Sequence, residues 1–194
     1  MTTAPGRYSL LLAALAGLCW AAALALLLFG GLGAGDDPLS LQRLLFYGLG
    51  LAAPLLTFAP LERALGLRGL TVEGTVGVSL LLYCLAFVPA PRDWMLALPD
   101  LPVYGLLIVA IFLVGSAITR PFIHAATARL FQARARAHDG RRVRRQSYEL
   151  GLLLAVVAAL AGLRVLTWVS LLLLAVALVI AELLFLSQVE AEPS

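Results

Sequence analysis

The chain has 194 residues, 62% of them hydrophobic and 13% charged, with a formal net charge of +3 and a mean hydropathy of +0.98. A soluble domain carries about a quarter charged residues. No core of this size could hide so much apolar side chain, so the composition excludes an ordinary soluble domain and makes lipid the solvent.

A membrane-spanning helix needs about 20 apolar residues. The first run, YSLLLAALAGLCWAAALALLLFG over residues 8–30, meets that length and exceeds the apolar core of a cleaved leader. GLGAGDDP then predicts a turn, with Asp37 as N-cap and Pro38 opening a second span over 38–59, bent near Pro54. PLERALGLRGLTVEG reads as a polar connection, 72–90 as a third span, PRDWMLALPD as a proline-bounded loop and 102–120 as a fourth span. A basic segment, 121–147, follows. Residues 148–187 are then apolar for forty positions, and one helix of that length would measure about 60 Å, roughly twice the hydrocarbon thickness. The stretch must therefore fold back. Arg164 is the one charge near its middle, which predicts a fifth span over 148–164 and a sixth over 168–187. The expected fold is all-α, a polytopic integral membrane protein of six transmembrane helices, with five as the alternative.

Arginine placement predicts the orientation, because short Arg-rich loops stay in the cytoplasm. All fourteen basic residues are Arg; with the N-terminus inside, eleven fall on the cytoplasmic side and only Arg43, Arg92 and Arg164 outside. Both termini are thus expected in the cytoplasm of a bacterial cell, with the protein in its inner membrane. Trp94, Trp168, Tyr47 and Tyr104 would mark the outer interface, and Tyr8 and Tyr148 the inner one. The segment RLFQARARAHDGRRVRRQ has apolar residues at helical spacing and a turn signal at Asp139–Gly140, so it reads as a basic cytoplasmic helical hairpin between spans four and five. Its residues Arg129, Arg134, Arg136, Arg141, Arg142, Arg144 and Arg145 are expected to meet anionic lipid headgroups, each contributing about 1 kcal/mol near the surface, or a protein partner. Nucleic acid is the poorer fit, with Phe131 the lone aromatic of the segment and a span on each side.

Chemistry-bearing residues are few. Cys19 and Cys84 lie inside apolar runs and read as small hydrophobes. His124 and His138 both fall in the basic segment, and no hydrolase motif, metal-ligand spacing or cofactor signature occurs, so no catalytic residue, metal or cofactor is expected. Glu182 is the acid expected within a span, held by an inner-edge arginine such as Arg120 or Arg145. Replacing Arg43, at the opposite face, is expected to matter little.

Small-residue stripes are the sharpest packing signal. Ala13, Gly17, Ala21 and Ala25 recur every fourth position in the first helix, as do Gly151, Ala155 and Ala159 in the fifth, and Gly48 with Ala52 in the second. Such stripes let helix backbones approach closely, within the molecule or against another membrane subunit. Six helices in so short a chain, with a small-residue first helix, are similar in size and pattern to the substrate-binding subunits of energy-coupling-factor transporters, without a family motif. The expected role is non-enzymatic: a structural, assembly or accessory subunit. The alternative is a small transporter or permease subunit. A polar cavity at mid-depth would favour transport, and an exposed small-residue stripe the accessory role.

Overall fold

The computed structural model describes residues 7–32, 37, 39–89, 100–130 and 140–191. Among them the chain forms six helices: α1 (Arg7–Phe29), α2 (Leu41–Leu65), α3 (Leu70–Phe87), α4 (Leu101–Leu130), α5 (Gly140–Gly162) and α6 (Trp168–Ala191). The first four contain stretches long and apolar enough to cross a membrane, which marks the chain as a membrane protein. Arg134, Arg136, His138 and the tip of the basic segment, together with Arg92 and Trp94, lie outside the described residues.

Each helix packs chiefly on its neighbours in sequence. The residues that meet show that successive helices run antiparallel. Trp20 of α1 meets Thr57 of α2, Phe58 of α2 lies at Gly74 of α3, Gly77 of α3 at Leu113 of α4, and Gly115 of α4 at Gly151 of α5. The result is a row of helices ordered as in the chain. Consequently the C-terminal ends of α2 and α4 and the N-terminal ends of α3 and α5 share one end of the row.

Local chemistry explains where the helices stop and how they touch. Leu39 N–H donates to Asp37 Oδ1 at 3.0 Å, and α2 starts only at Leu41, with Ser40 in the N-cap position. Asp37 therefore folds a local turn rather than capping the helix. At its other end α2 continues through Pro54 and Pro60 to Leu65, six residues beyond the expected end. Gly66 closes it in the left-handed conformation at φ 67°, a geometry that costs glycine least. The connection to α3 is thus four residues, not the long polar loop expected from PLERALGLRGLTVEG.

Pro54 has no N–H to give the Gly50 carbonyl one turn earlier. The Ser79 hydroxyl of α3 donates to that carbonyl at 2.9 Å. Thr57 likewise joins two helices: its hydroxyl donates to Ala53 O at 2.8 Å and accepts from Trp20 Nε1 at 3.0 Å. Hydroxyls that could have lined a cavity satisfy backbone and indole groups instead, which apolar surroundings demand.

The fifth-helix stripe packs inside the molecule. A Cβ at Gly151 would stand 2.8 Å from Phe112 O and 3.0 Å from Ser116, so this glycine sets the α4–α5 separation. Ala155 beside it is buried. The first-helix stripe does the opposite. Ala13, Gly17, Ala21 and Ala25 are all exposed, and a Cβ at Gly17 would meet nothing within 4 Å. The helix buries Ala16 and Ala23 instead. Gly48 is also open, whereas Gly50 and Ala53 are buried on the side of α2 that packs.

At the far end of the row, Arg43 is only 6% exposed and lies over the Phe87 ring at 4.9 Å, against which Phe46 also packs at 5.6 Å. A guanidinium desolvated over an aromatic face contributes about 1–2 kcal/mol. Arg43 is therefore part of the packing and no neutral bystander. α5 and α6 are separated by a bend at which Arg164 takes a left-handed φ of 58°, with Val165 N–H returning to Leu160 O at 3.1 Å. α6 then runs back beside α5, leaving a cavity of about 360 Å³ between Leu178, Val179 and Leu183 on one side and Ile123, Gln146 and Leu150 on the other.

Substituting Gly151→Ala is expected to lower thermal stability in detergent by about 1–3 kcal/mol through overpacking. Gly48→Ala, which fills open space, is expected to be neutral or to stabilise by up to about 1 kcal/mol through helix propensity. Thermal unfolding followed by circular dichroism measures both. Equal effects would contradict the assigned α4–α5 contact.

Candidate functional site

The shared end of α2, α3, α4 and α5 collects the ionisable groups. The N-cap position before α3 is a glycine, Gly69, which has φ 86° and no side chain with which to cap the helix. Glu62 of α2 supplies the missing acceptor: its Oε1 takes the Gly69 N–H at 3.1 Å and its Oε2 the Thr71 N–H at 2.6 Å. A carboxylate at a helix N-terminus both satisfies orphan donors and meets the positive end of the helix dipole.

One turn on, Glu73 faces the neighbouring helices. Its Oε2 accepts from Arg120 Nη2 of α4 in a close ion pair. Its Oε1 accepts the Tyr148 hydroxyl of α5 at 2.6 Å. Arg144, one turn before Tyr148, donates from Nε to the Tyr148 oxygen at 2.9 Å and holds Nη2 at 3.9 Å from Glu73 Oε1. Arg120 Nε donates to Ser147 Oγ at 3.3 Å, and Ser147 in turn donates to Arg144 O at 2.7 Å. Both guanidinium groups also lie over the Tyr148 ring, at 5.4 and 5.3 Å. Tyr148, and more weakly the charge of Glu73, raises the Arg144 pKa above the ordinary arginine value against the opposing effect of burial.

Burial makes the pair consequential. The Arg120 side chain is 2% exposed and that of Glu73 is 16% exposed. Two charges out of water cost several kcal/mol each unless they face one another with their remaining donors and acceptors satisfied. Here Glu73 accepts hydrogen bonds from two helices, with Arg144 as a second nearby charge, and Arg120 retains one buried donor, Nη1, without a hydrogen-bond partner. The cluster therefore ties α3, α4 and α5 together at a single carboxylate.

The residues read from the sequence distribute as follows. Arg144 belongs to the cluster. Arg145 pairs with Glu149 at 3.2 Å, and Arg129, Arg141 and Arg142 lie at the same end of the row. Of the two arginines expected near Glu182, Arg120 meets Glu73 and Arg145 meets Glu149. Glu182 lies on α6, with its side chain outside the described atoms. Glu73 escaped the sequence reading because it sits where the polar connection gives way to the third span. The signal that could have found it was topological: one acid at the start of that span, on the same side as Arg120 at the end of the fourth. Among the described residues no group of three His, Cys, Asp or Glu side chains could hold a metal ion, and Cys19 and Cys84 are both free thiols.

No protein-family model, curated protein or solved structure matches this chain.

Glu73→Gln would leave Arg120 buried without its counter-charge, and is expected to destabilise the detergent-solubilised protein by about 3–5 kcal/mol. Tyr148→Phe removes the hydroxyl that donates to Glu73 and accepts from Arg144, and is expected to cost about 1.5–3 kcal/mol. Chemical or thermal unfolding of the purified variants checks this order. Wild-type stability in Glu73→Gln would contradict the assigned cluster.

Proposed function

We propose that the chain is a non-enzymatic assembly or accessory subunit of a bacterial inner membrane, crossing it six times with both termini in the cytoplasm. It would dock a second membrane protein on the outward face of α1. The observation that carries the reading is the exposed stripe Ala13, Gly17, Ala21 and Ala25, whose Gly17 has no neighbour within 4 Å of a Cβ. Small residues at this spacing are how membrane helices bring their backbones together, and Gly17, Ala21 and Ala25 of this stripe are left exposed by the fold.

The orientation draws on arginine placement. Arg63, Arg68, Arg120, Arg129 and the arginines of early α5 share the cluster end of the row, whereas Arg43 and Arg164 lie at the other. At 30 residues, α4 is about 45 Å long, about 15 Å more than a hydrocarbon layer. Its last turns and the start of α5 would then stand in the cytoplasm, carrying the basic segment.

A small transporter or permease subunit is the second reading, favoured by the buried Glu73–Arg120 pair, since ionisable groups within membrane helices are functional candidates. Against it, the cavity between α3, α4 and α5 is walled mostly by apolar side chains, among them Leu81, Ile111, Val114, Leu154 and Val157. That wall offers little to a polar solute.

A gentle-detergent pull-down of the tagged chain is expected to recover a stoichiometric membrane partner. Gly17→Leu is expected to lose that partner while the isolated protein keeps its thermal stability. A partner retained at full stoichiometry in Gly17→Leu, or none recovered with the unaltered chain, would contradict the docking role.

A further inference from the structure

Beside the Glu73 cluster lies a cavity of about 440 Å³ whose wall includes Arg68, Arg120, Arg141 and Arg144, with Gly140, the first residue of α5. We propose that this cavity is a binding site for a phosphate-bearing anion, either the phosphate of an anionic lipid headgroup or a free phosphate ion. The inference does not depend on the docking role of α1.

Four arginines from the α2–α3 turn, α4 and α5 line one concave space. Glu73 pairs with Arg120 and reaches Arg144, and Glu62 is engaged by the N-terminus of α3, so neither carboxylate is given over to Arg68. Arg120 is the second, independent observation. It is 1% exposed, it lines the cavity, and its Nη1 is buried without a hydrogen-bond partner. A buried guanidinium donor left unmade costs more than a neutral one, and an acceptor arriving in the cavity is the chemistry that would satisfy it. Gly140 adds the positive end of the α5 dipole to the same wall.

Phosphate fits this donor set better than a carboxylate. It presents oxygens in several directions, and planar guanidinium forks reaching it from different elements can each engage a separate edge. The volume lies within the range of small-ligand sites, about 300–1,000 Å³, and accommodates a phosphate with a glycerol-sized head. The cavity opens at the end of the helix row, the level at which lipid headgroups lie when α1–α4 are embedded.

The purified full chain in neutral detergent is titrated separately with phosphatidylglycerol, read by native mass spectrometry, and with inorganic phosphate, read by calorimetry. One bound equivalent is expected. The double variant Arg68→Gln/Arg141→Gln, which spares the Glu73 cluster, is expected to bind at least about tenfold more weakly, because two charge-assisted contacts are lost. Arg63→Gln, a basic residue at the same end but outside the cavity wall, is expected to bind as the unaltered chain does. This pattern with either probe supports the site, and the probe that shows it identifies the source of the phosphate. Binding of neither probe, or equal weakening by Arg63→Gln and the double variant, overturns the proposal.

Discussion

A carboxylate among apolar helices must be answered by donors, and Glu73 is answered by Arg120, Tyr148 and Arg144. That requirement organises one whole end of the molecule. Arg120 can be almost wholly buried because Glu73 is there to meet it, and Tyr148 and Ser147 are drawn in because each guanidinium or carboxylate atom left over needs a partner. Glu62 performs the same service for the backbone, capping a helix whose N-cap position is a glycine. Together the two acids fix how α2 hands over to α3 and how α3 meets α4 and α5. The cavity next to them inherits its positive wall from the same arrangement.

Along the apolar part of the row the constraint changes from charge to shape. Lipid offers helices no hydrophobic reason to associate, so contact comes from close approach and from single hydrogen bonds. Gly77 lets α3 against α4, and Gly115 with Gly151 lets α4 against α5. Ser79 takes over the Gly50 carbonyl that Pro54 leaves without a donor. A proline that would weaken an isolated helix thereby becomes a contact between two. The same reasoning makes α1 conspicuous, because its best-formed stripe of small residues is exposed, with only Ala13 bordering a cavity against α2.

The all-helical character and the six helices were legible in the sequence, since apolar runs of sufficient length admit little else in a lipid solvent. Other features were not legible, for identifiable reasons. Periodicity shows that Ala13, Gly17, Ala21 and Ala25 share a face but not whether a neighbour occupies it; Ala16 and Ala23 form the face that packs. The length of the α2–α3 connection was overestimated because polar residues were read as loop, whereas Glu62 and Glu73 are polar residues of helices with partners to meet. Those partners stand 47 and 75 positions from Glu73 in the chain, beyond the reach of any local pattern. Replacing Arg43 was expected to matter little, and only the folded arrangement brings the Phe87 ring beneath it.

The central claim is that Glu73 and Arg120 stabilise the protein as a pair rather than separately. A double-mutant cycle in detergent, with Glu73→Gln, Arg120→Gln and both together, measures this directly. The account predicts a coupling energy of about 2 kcal/mol or more, with the double variant no less stable than either single one, because removing both charges leaves neither of them buried alone. Losses that simply add, with coupling below about 0.5 kcal/mol, would contradict it.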